Sequence, residues 1–367
     1  MSLAARSQVF FMELATSHAL PATSSIRKSV NPANLLNYIS EVCMKLLITG
    51  ANGQLGQDLQ KECKRRGIQY IATDYLEGST LHVARGADDS YDVSRGATYE
   101  PNPNQPICQS ANQLLHLDIT DLKSVRETVL QANADAIINC AAYNAVDKTE
   151  EDWENAFLVN AIGPKNLAIA ANERGIPLMH FSTDYVFDGK KGSSYFVWDE
   201  PKPLSKYGQS KLYGEQLVSL FSNRCFVVRL SWVFGTGNTN FVKKILEWSK
   251  GKNELKVVDD QISSPAYTAD LSRAIIDLLE TKAYGIYHMA NTGYCSRYEW
   301  AKYILELTGW RGKIVPVKSS DFKTAAQRPE FSAMNTFPLN ETIGYELPEW
   351  KDATERFLKE ISVRSEE

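Results

Sequence analysis

Spaced metal or disulfide ligands are missing from this chain. Its six cysteines (Cys43, Cys63, Cys108, Cys140, Cys225 and Cys295) are scattered and form no C-x-x-C pair. That excludes the usual zinc frameworks and points to a reducing, cytoplasmic compartment rather than a disulfide-stapled secreted fold. The five histidines are dispersed as well; no metal-ligand set is read, and a requirement for Mg2+ is left open. An excess of one charge is also missing: 40 Lys and Arg stand against 44 Asp and Glu, a net charge of −4, with no basic block. Neither nucleic acid nor an anionic membrane is therefore the expected partner. No apolar stretch approaches the roughly 18–20 residues of a membrane helix, and no internal repeat is visible. What remains is ordinary for a soluble globular protein, 43% hydrophobic and 23% charged. At 367 residues the chain suits a large α/β unit with a smaller attached lobe.

The first 43 residues carry no glycine-rich turn and no clear period, and the folded domain is expected to open at Met44 with Met44-Lys45-Leu46-Leu47-Ile48-Thr49. Arg6, Arg27 and Lys28 with several serines admit a targeting segment, but Glu13 interrupts the apolar stretch, so an upstream start or leader is preferred. Strands are then expected at 44–49, 68–73, 135–140, 177–183 and 225–231, and helices near 54–66, 121–133, 151–174 and from Ser205. This β-α-β spacing predicts a parallel, doubly wound (Rossmann) sheet over 44–231. Residues 232–362 are expected to form mainly a smaller C-terminal α/β lobe that faces the substrate, with parts returning to the first domain. Residues 78–112, rich in Gly, Ser, Asn, Asp and Pro, read as a long, mobile surface excursion before a strand end at Leu117-Asp118-Ile119. Cys140 and Cys225 lie in apolar runs and read as buried, and His180 reads as a packed core histidine.

Gly50-Ala51-Asn52-Gly53-Gln54-Leu55-Gly56 follows the first strand and runs into a helix. Gly50 permits the tight bend, Gly53 lets backbone approach a pyrophosphate, and Gly56 lets helix pack on strand, while the helix N-terminus offers its N–H groups to the anion. In this strand-turn-helix context the loop predicts a dinucleotide site. Asp74, 24 residues after Gly50, suits the ribose hydroxyls of NADH. Arg85 and the basic run 64–66 lie near enough in sequence to suit a 2′-phosphate, so NADH and NADPH both stand.

Ser205-Lys206-Tyr207-Gly208-Gln209-Ser210-Lys211 places a tyrosine and a lysine four apart, on one helix face. A phenol with pKa ~10 is a poor acid-base group at neutral pH; a cation beside it favours phenolate, and Lys211 is expected to tune Tyr207 in this way. The spacing alone is common. Its position is not: it follows Ser182-Thr183-Asp184-Tyr185 at the end of a parallel strand, downstream of the glycine loop. Ligands of doubly wound folds bind beyond those strand ends, so Thr183 or Ser182 is placed to hydrogen-bond a substrate carbonyl.

Further stretches stand at 141–150 (Ala-Ala-Tyr-Asn-Ala-Val-Asp-Lys-Thr-Glu), at 182–187, at 207–215, at Arg229-Leu230-Ser231-Trp232-Val233, at Asp260-Gln261, and at Arg328-Pro329 with Ser332. With the glycine loop, these resemble the extended short-chain dehydrogenases/reductases and, among them, the dTDP-4-dehydrorhamnose reductases, from Met44 to about Ile361. The resemblance implies NADPH- or NADH-dependent reduction of the 4-keto group of dTDP-4-dehydro-β-L-rhamnose, a nucleotide sugar, by a monomer or homodimer. It implies cofactor contacts at Gly53, Gln54, Leu55, Asp74, Asp118, Ile119, Ala142, Tyr143, Asn144, Phe181, Tyr207 and Lys211. It implies substrate contacts at Thr183, Asp184 and Trp232, with Val146, Gln261 and Arg328 beside them; a guanidinium such as Arg328 suits a nucleotide diphosphate, or else a surface ion pair. The chain departs from the family pattern at Asn144 (usually Thr), Ser205 (often Asn), Ser263 (usually Gly) and Ala266 (usually Thr). Two rival readings share the fold: a non-catalytic binding subunit, like the regulatory subunit of methionine adenosyltransferase, and a nucleotide-sugar epimerase that recycles its cofactor. Retention of Thr183, Tyr207 and Lys211 together argues against the first, and stoichiometric consumption of added NAD(P)H would separate a reductase from the second.

Overall fold

The computed structural model describes residues 44–75 and 114–363; the expected N-terminal extension 1–43 and the expected excursion 78–112 lie outside the described residues. In chain order the first half holds β1 (Lys45–Thr49), α1 (Gln54–Arg66), β2 (Gln69–Asp74), β3 (Leu114–His116), α2 (Leu122–Ala132) and β4 (Ala136–Asn139). Then come α3 (Trp153–Phe157), a π-helical turn (Leu158–Ile162), α4 (Gly163–Arg174), β5 (Leu178–Thr183), α5 (Lys206–Phe221) and β6 (Cys225–Leu230). The second half holds β7 (Val233–Phe234), α6 (Phe241–Ser249), β8 (Glu254–Val258), β9 (Ile262–Ser263), β10 (Ala266–Tyr267) and α7 (Thr268–Thr281). It ends with β11 (Gly285–Met289), β12 (Cys295–Ser296), α8 (Arg297–Leu307), β13 (Lys313–Val317), α9 (Leu339–Ile343) and α10 (Trp350–Val363).

Seven strands form one sheet in the order β11-β6-β5-β4-β1-β2-β3, every pair parallel. Parallel strands need both faces covered, which is why these segments read as near-continuous apolar runs. Along β1 the burial alternates between two cores. Leu46 and Ile48 pack with Leu55 and Leu59 of α1 and Leu271 and Ile275 of α7. Leu47 packs on the other side with Val125 and Val129 of α2, Leu167 of α4 and Val218 of α5. Strand order reverses between β1 and β4, so the crevice beyond their carboxyl ends is the ligand position of such folds. A third core, with Phe234, Ile245, Leu255, Trp300 and Phe357, belongs to the second half.

The expected doubly wound sheet is thus found, with two differences of detail. The strand read as ending at Leu117-Asp118-Ile119 stops at His116. Leu117 adds one more backbone bond to the Asp74 carbonyl (2.9 Å), and the Asp118 carboxylate then takes the Thr120 amide and hydroxyl, both at 2.8 Å, and turns the chain. β11, which was not expected, closes the sheet beside β6. No helix among the described residues is long and apolar enough to cross a membrane.

Candidate active site

The glycine loop sits at the reversal point. Gly50 has φ +63°, and a Cβ there would lie 2.4 Å from the Ala141 backbone nitrogen, so only glycine lets the β1 turn pass against the end of β4. The first turn of α1 has no side-chain cap at Gly53; its N–H groups are left for an external anion. Gln54 is held across the crevice by the Asn240 amide at 3.0 Å, while Leu55 is buried in the core. Asp74 accepts the Asn52 amide at 2.7 Å and the Tyr75 amide at 2.8 Å, which braces the loop at the position a ribose would reach. The residues present therefore fit a dinucleotide.

Beyond β4, a polar network fixes the segment holding Ala142, Tyr143 and Asn144. Asn160 accepts the Tyr143 amide (2.8 Å) and donates to the Tyr143 carbonyl (3.0 Å) and to Ser210 Oγ (3.0 Å). Ser210 in turn donates to the Tyr207 carbonyl, so one buried amide joins the β4 loop to α5. Asn160 was not expected; it stands on the π-helical turn, and an irregular turn inside a helix frequently marks a functional site. A Cβ on Gly214 would lie 2.2 Å from the Asn160 carbonyl oxygen, so that glycine sets the closeness of the two helices. Tyr143 itself donates to Asp152 at 2.8 Å. His180 is fully buried and faces Asn139 at 3.0 Å; burial, assisted by the Lys211 charge, holds it neutral. It is part of the core, as expected.

α5 starts at a cap supplied by Ser205, whose Oγ accepts the Gly208 amide at 3.2 Å; the serine replacing the family's asparagine keeps the capping role. Lys206 ties this end to Glu150 through its amide (2.9 Å) and ammonium (2.6 Å). Tyr207 and Lys211 are both buried on the face turned to the end of β5. Tyr207 Oη lies 3.4 Å from Asn144 Oδ1, and its ring meets Tyr185 edge-on. Burial pushes the phenol above its ordinary pKa, Thr183 pulling the other way and Asp184 adding to the rise. Lys211 Nζ donates to the Phe181 carbonyl at 2.6 Å, and burial draws its pKa down to about 8, against the attraction of Glu215. The lowering of the phenol expected from Lys211 does not appear: burial dominates, and the opposing pull comes from Thr183. Glu215 is bound by two bonds to Arg229 (3.0 and 2.8 Å), and both are nearly inaccessible.

On the other side of Thr183 lies a second cluster. Thr183 donates to Asp184 Oδ1 (3.1 Å) and accepts the Tyr185 amide (3.2 Å). Asp184 is buried and also receives Ser263 Oγ (3.0 Å) and Ser332 Oγ (2.6 Å); burial nonetheless raises its pKa to about 6. Trp232 is half-buried with a left-handed backbone, φ +41°, rare for a bulky residue and a sign of local strain at a site. The Arg297 guanidinium lies 3.6 Å over its ring centre. Arg328 is held by Asp147 in a two-pronged pair at 3.1 and 2.7 Å. Gln261 donates to Ser319 at 2.9 Å and its carbonyl accepts the Arg297 amide; Val146 closes a turn on the Asn144 carbonyl. Ser332 and Ser263 converge on Asp184, and Arg297 reaches the same neighbourhood, a convergence that short-range patterns cannot reveal.

Curated relatives match most of this chain's length. The spore coat polysaccharide biosynthesis protein SpsK of Bacillus subtilis is 34% identical over 318 residues, 87% of this chain and 98% of its own. A dTDP-4-dehydrorhamnose reductase of Aggregatibacter actinomycetemcomitans is 32% identical over 335 residues, 88% of this chain and 99% of its own. Among solved structures, dTDP-4-dehydrorhamnose reductase of Bacillus anthracis in complex with NADP superposes with a TM-score of 0.73 at 35% identity, covering 87% of this chain and 100% of that one. The family described as RmlD substrate binding domain matches residues 44–363, a span that includes the glycine loop, the tyrosine–lysine helix and the serine-ringed acid, and the chain belongs to that family.

Proposed function

We propose that this chain reduces the 4-keto group of dTDP-4-dehydro-β-L-rhamnose to give dTDP-L-rhamnose, with NADPH or NADH as reductant. The observation that carries the reading is the convergence of Thr183, Tyr207 and Lys211 at the carboxyl end of β5, beside the uncapped start of α1. The relatives named for this reaction support the substrate. The first domain, 44–231, would hold the cofactor and most of 232–362 the nucleotide sugar. The chain would act in the cytoplasm without nucleic acid or membrane, as a monomer or homodimer.

The nicotinamide supplies the hydride when bound. Gly53, Gln54 and Leu55 at the start of α1 would hold its diphosphate, Asp74 the adenosine ribose, and Asp118 and Ile119 the adenine end. Ala142, Tyr143, Asn144 and Phe181 would line the nicotinamide half, with Lys211 oriented by the Phe181 carbonyl. Tyr207 Oη would give its proton to the oxygen of the substrate carbonyl as that carbonyl is reduced. Because burial raises its pKa, the phenol carries that proton throughout the neutral range. Thr183 donates a second hydrogen bond to the developing alkoxide. On the far side, Trp232 and Val146 would bound the sugar. Arg297, which makes no ion pair among the described residues, would meet the diphosphate, with Gln261 and Arg328 shaping the wall behind it.

Tyr207→Phe tests the assignment. Loss of a general acid is worth about 10²–10⁴-fold, so kcat for NADPH oxidation with dTDP-4-dehydrorhamnose falls in that range while NADPH affinity holds. A variant turning over near the wild-type rate would exclude Tyr207 as the proton donor.

A further inference from the structure

Asp184 is the most heavily engaged polar group beside the proposed proton donor. Its carboxylate is buried, and hydroxyls from separate segments donate to it: Thr183 to Oδ1 at 3.1 Å, Ser263 to Oδ2 at 3.0 Å and Ser332 to Oδ2 at 2.6 Å. Thr183 has a single proton. While that proton points at Asp184, the Thr183 oxygen can only accept, as it does from the Tyr185 amide. To stabilise an alkoxide forming on the substrate, Thr183 has to turn its proton away from the carboxylate. A buried carboxylate resists losing a donor, and resists more strongly the fewer donors remain.

Ser263 is placed to relieve that resistance. It is fully buried on β9, paired with Cys295 of β12 and braced by the Ser332 amide bonding the Ile262 carbonyl at 2.8 Å. Its proton has one other acceptor, the Ser332 carbonyl at 3.3 Å. That bond is longer and its acceptor uncharged, so the carboxylate at 3.0 Å wins. Serine here is also one of the positions where the chain departs from the glycine usual in the family it resembles.

We propose that Ser263 is a positioning residue for the reduction: by donating to Asp184 it lets Thr183 turn its proton from the carboxylate to the substrate oxygen. The proposal rests on the reductase reading above. The charged and titratable groups facing Asp184 are Arg297 from α8, Tyr207 from α5 and Tyr185 on its own turn. Burial raises Asp184 to about 6, and the three hydroxyls and Arg297 pull it back down. Above that pH the carboxylate competes for the Thr183 proton; below it the neutral carboxyl is a weaker acceptor and lets go. The contribution of Ser263 is therefore greatest at alkaline pH.

The test is the pH profile of kcat for Ser263→Ala, Ser263→Thr and Ser263→Ala in an Asp184→Asn background, with NADPH and dTDP-4-dehydrorhamnose. A hydrogen bond to a charged group is worth roughly one to two powers of ten, so Ser263→Ala loses about tenfold in kcat at pH 8, with the deficit shrinking as pH falls below 6 and NADPH affinity unchanged. Ser263→Thr restores the rate, and in the Asp184→Asn background the alanine adds less than about twofold. A deficit that is flat across pH, or that persists undiminished in the Asp184→Asn background, overturns the proposal, as does an active wild type with an equally active Ser263→Ala. Wild-type protein that oxidises no NADPH with the keto-sugar refutes the reductase reading itself, which separates the two failures.

Discussion

Glu215 stands one helical turn beyond Lys211 on α5, and removing its charge should separate its structural effect from its electrostatic one. In Glu215→Gln the side chain keeps its shape, but Arg229 stays buried, 2% exposed, and loses its anion; its other polar neighbours are the His288 ring at 3.3 Å and the Val197 carbonyl at 3.4 Å. Breaking such a buried pair from one side costs about 3–5 kcal/mol, and the remaining amide oxygen places glutamine near the lower end. Against a typical total of about 5–15 kcal/mol, a urea midpoint shift should be plain. The second effect falls on Lys211. With its pKa drawn to about 8, the ammonium is about nine-tenths charged at pH 7. Glu215 is the chief influence holding it up, so its neutralisation moves the alkaline limb of kcat towards lower pH, by about one unit for each ~1.4 kcal/mol lost. The paired replacement Glu215→Met with Arg229→Met distinguishes the two: stability returns, because apolar residues of similar volume replace a buried pair at little cost, while the displaced alkaline limb stays. An unchanged midpoint and unchanged limb in Glu215→Gln would refute both halves of this reasoning.

Gly50→Ala should raise the Kd for NADPH, read by fluorescence titration, by at least about tenfold. The left-handed backbone costs a Cβ roughly 1–2 kcal/mol, and the contact at 2.4 Å is with the Ala141 backbone, which cannot yield without moving the β4 loop. Arg297→Ala should raise KM for the nucleotide sugar by about ten- to hundredfold, the worth of charged hydrogen bonds, with NADPH affinity unchanged; a normal KM would remove Arg297 from the substrate side.

Local signals in the sequence were strong where the physics is local. The run Leu46-Leu47-Ile48 must be covered on both faces, and Gly50 and Gly67 bracket α1, so the predicted helix at 54–66 coincides with the one observed. β11 was not legible: Gly285–Met289 is only five residues long and finds its partner, β6, far back in the chain. Nor was Asn160, because its importance lies in a π turn that shifts the helix face by one residue, a shift that hydrophobic periodicity over 151–174 does not register. The same holds for the ion pair of Arg328, whose partner Asp147 is 181 residues away and is found only through tertiary contact.

The tyrosine–lysine spacing shows where such a reading stops. Four residues on a helix do bring Tyr207 and Lys211 to one face, but the ammonium turns to the Phe181 carbonyl, and desolvation governs both groups in opposite directions, raising the phenol and lowering the amine. For a group proposed to give up a proton, a raised pKa is the right bias: the phenol holds its proton at neutral pH and would release it to a more basic substrate oxygen. An oxidative enzyme would need the opposite, a phenol already stripped. The protonation state of Tyr207 is thus governed less by the lysine four residues away than by its burial, with the neighbouring Asp184 adding to the rise.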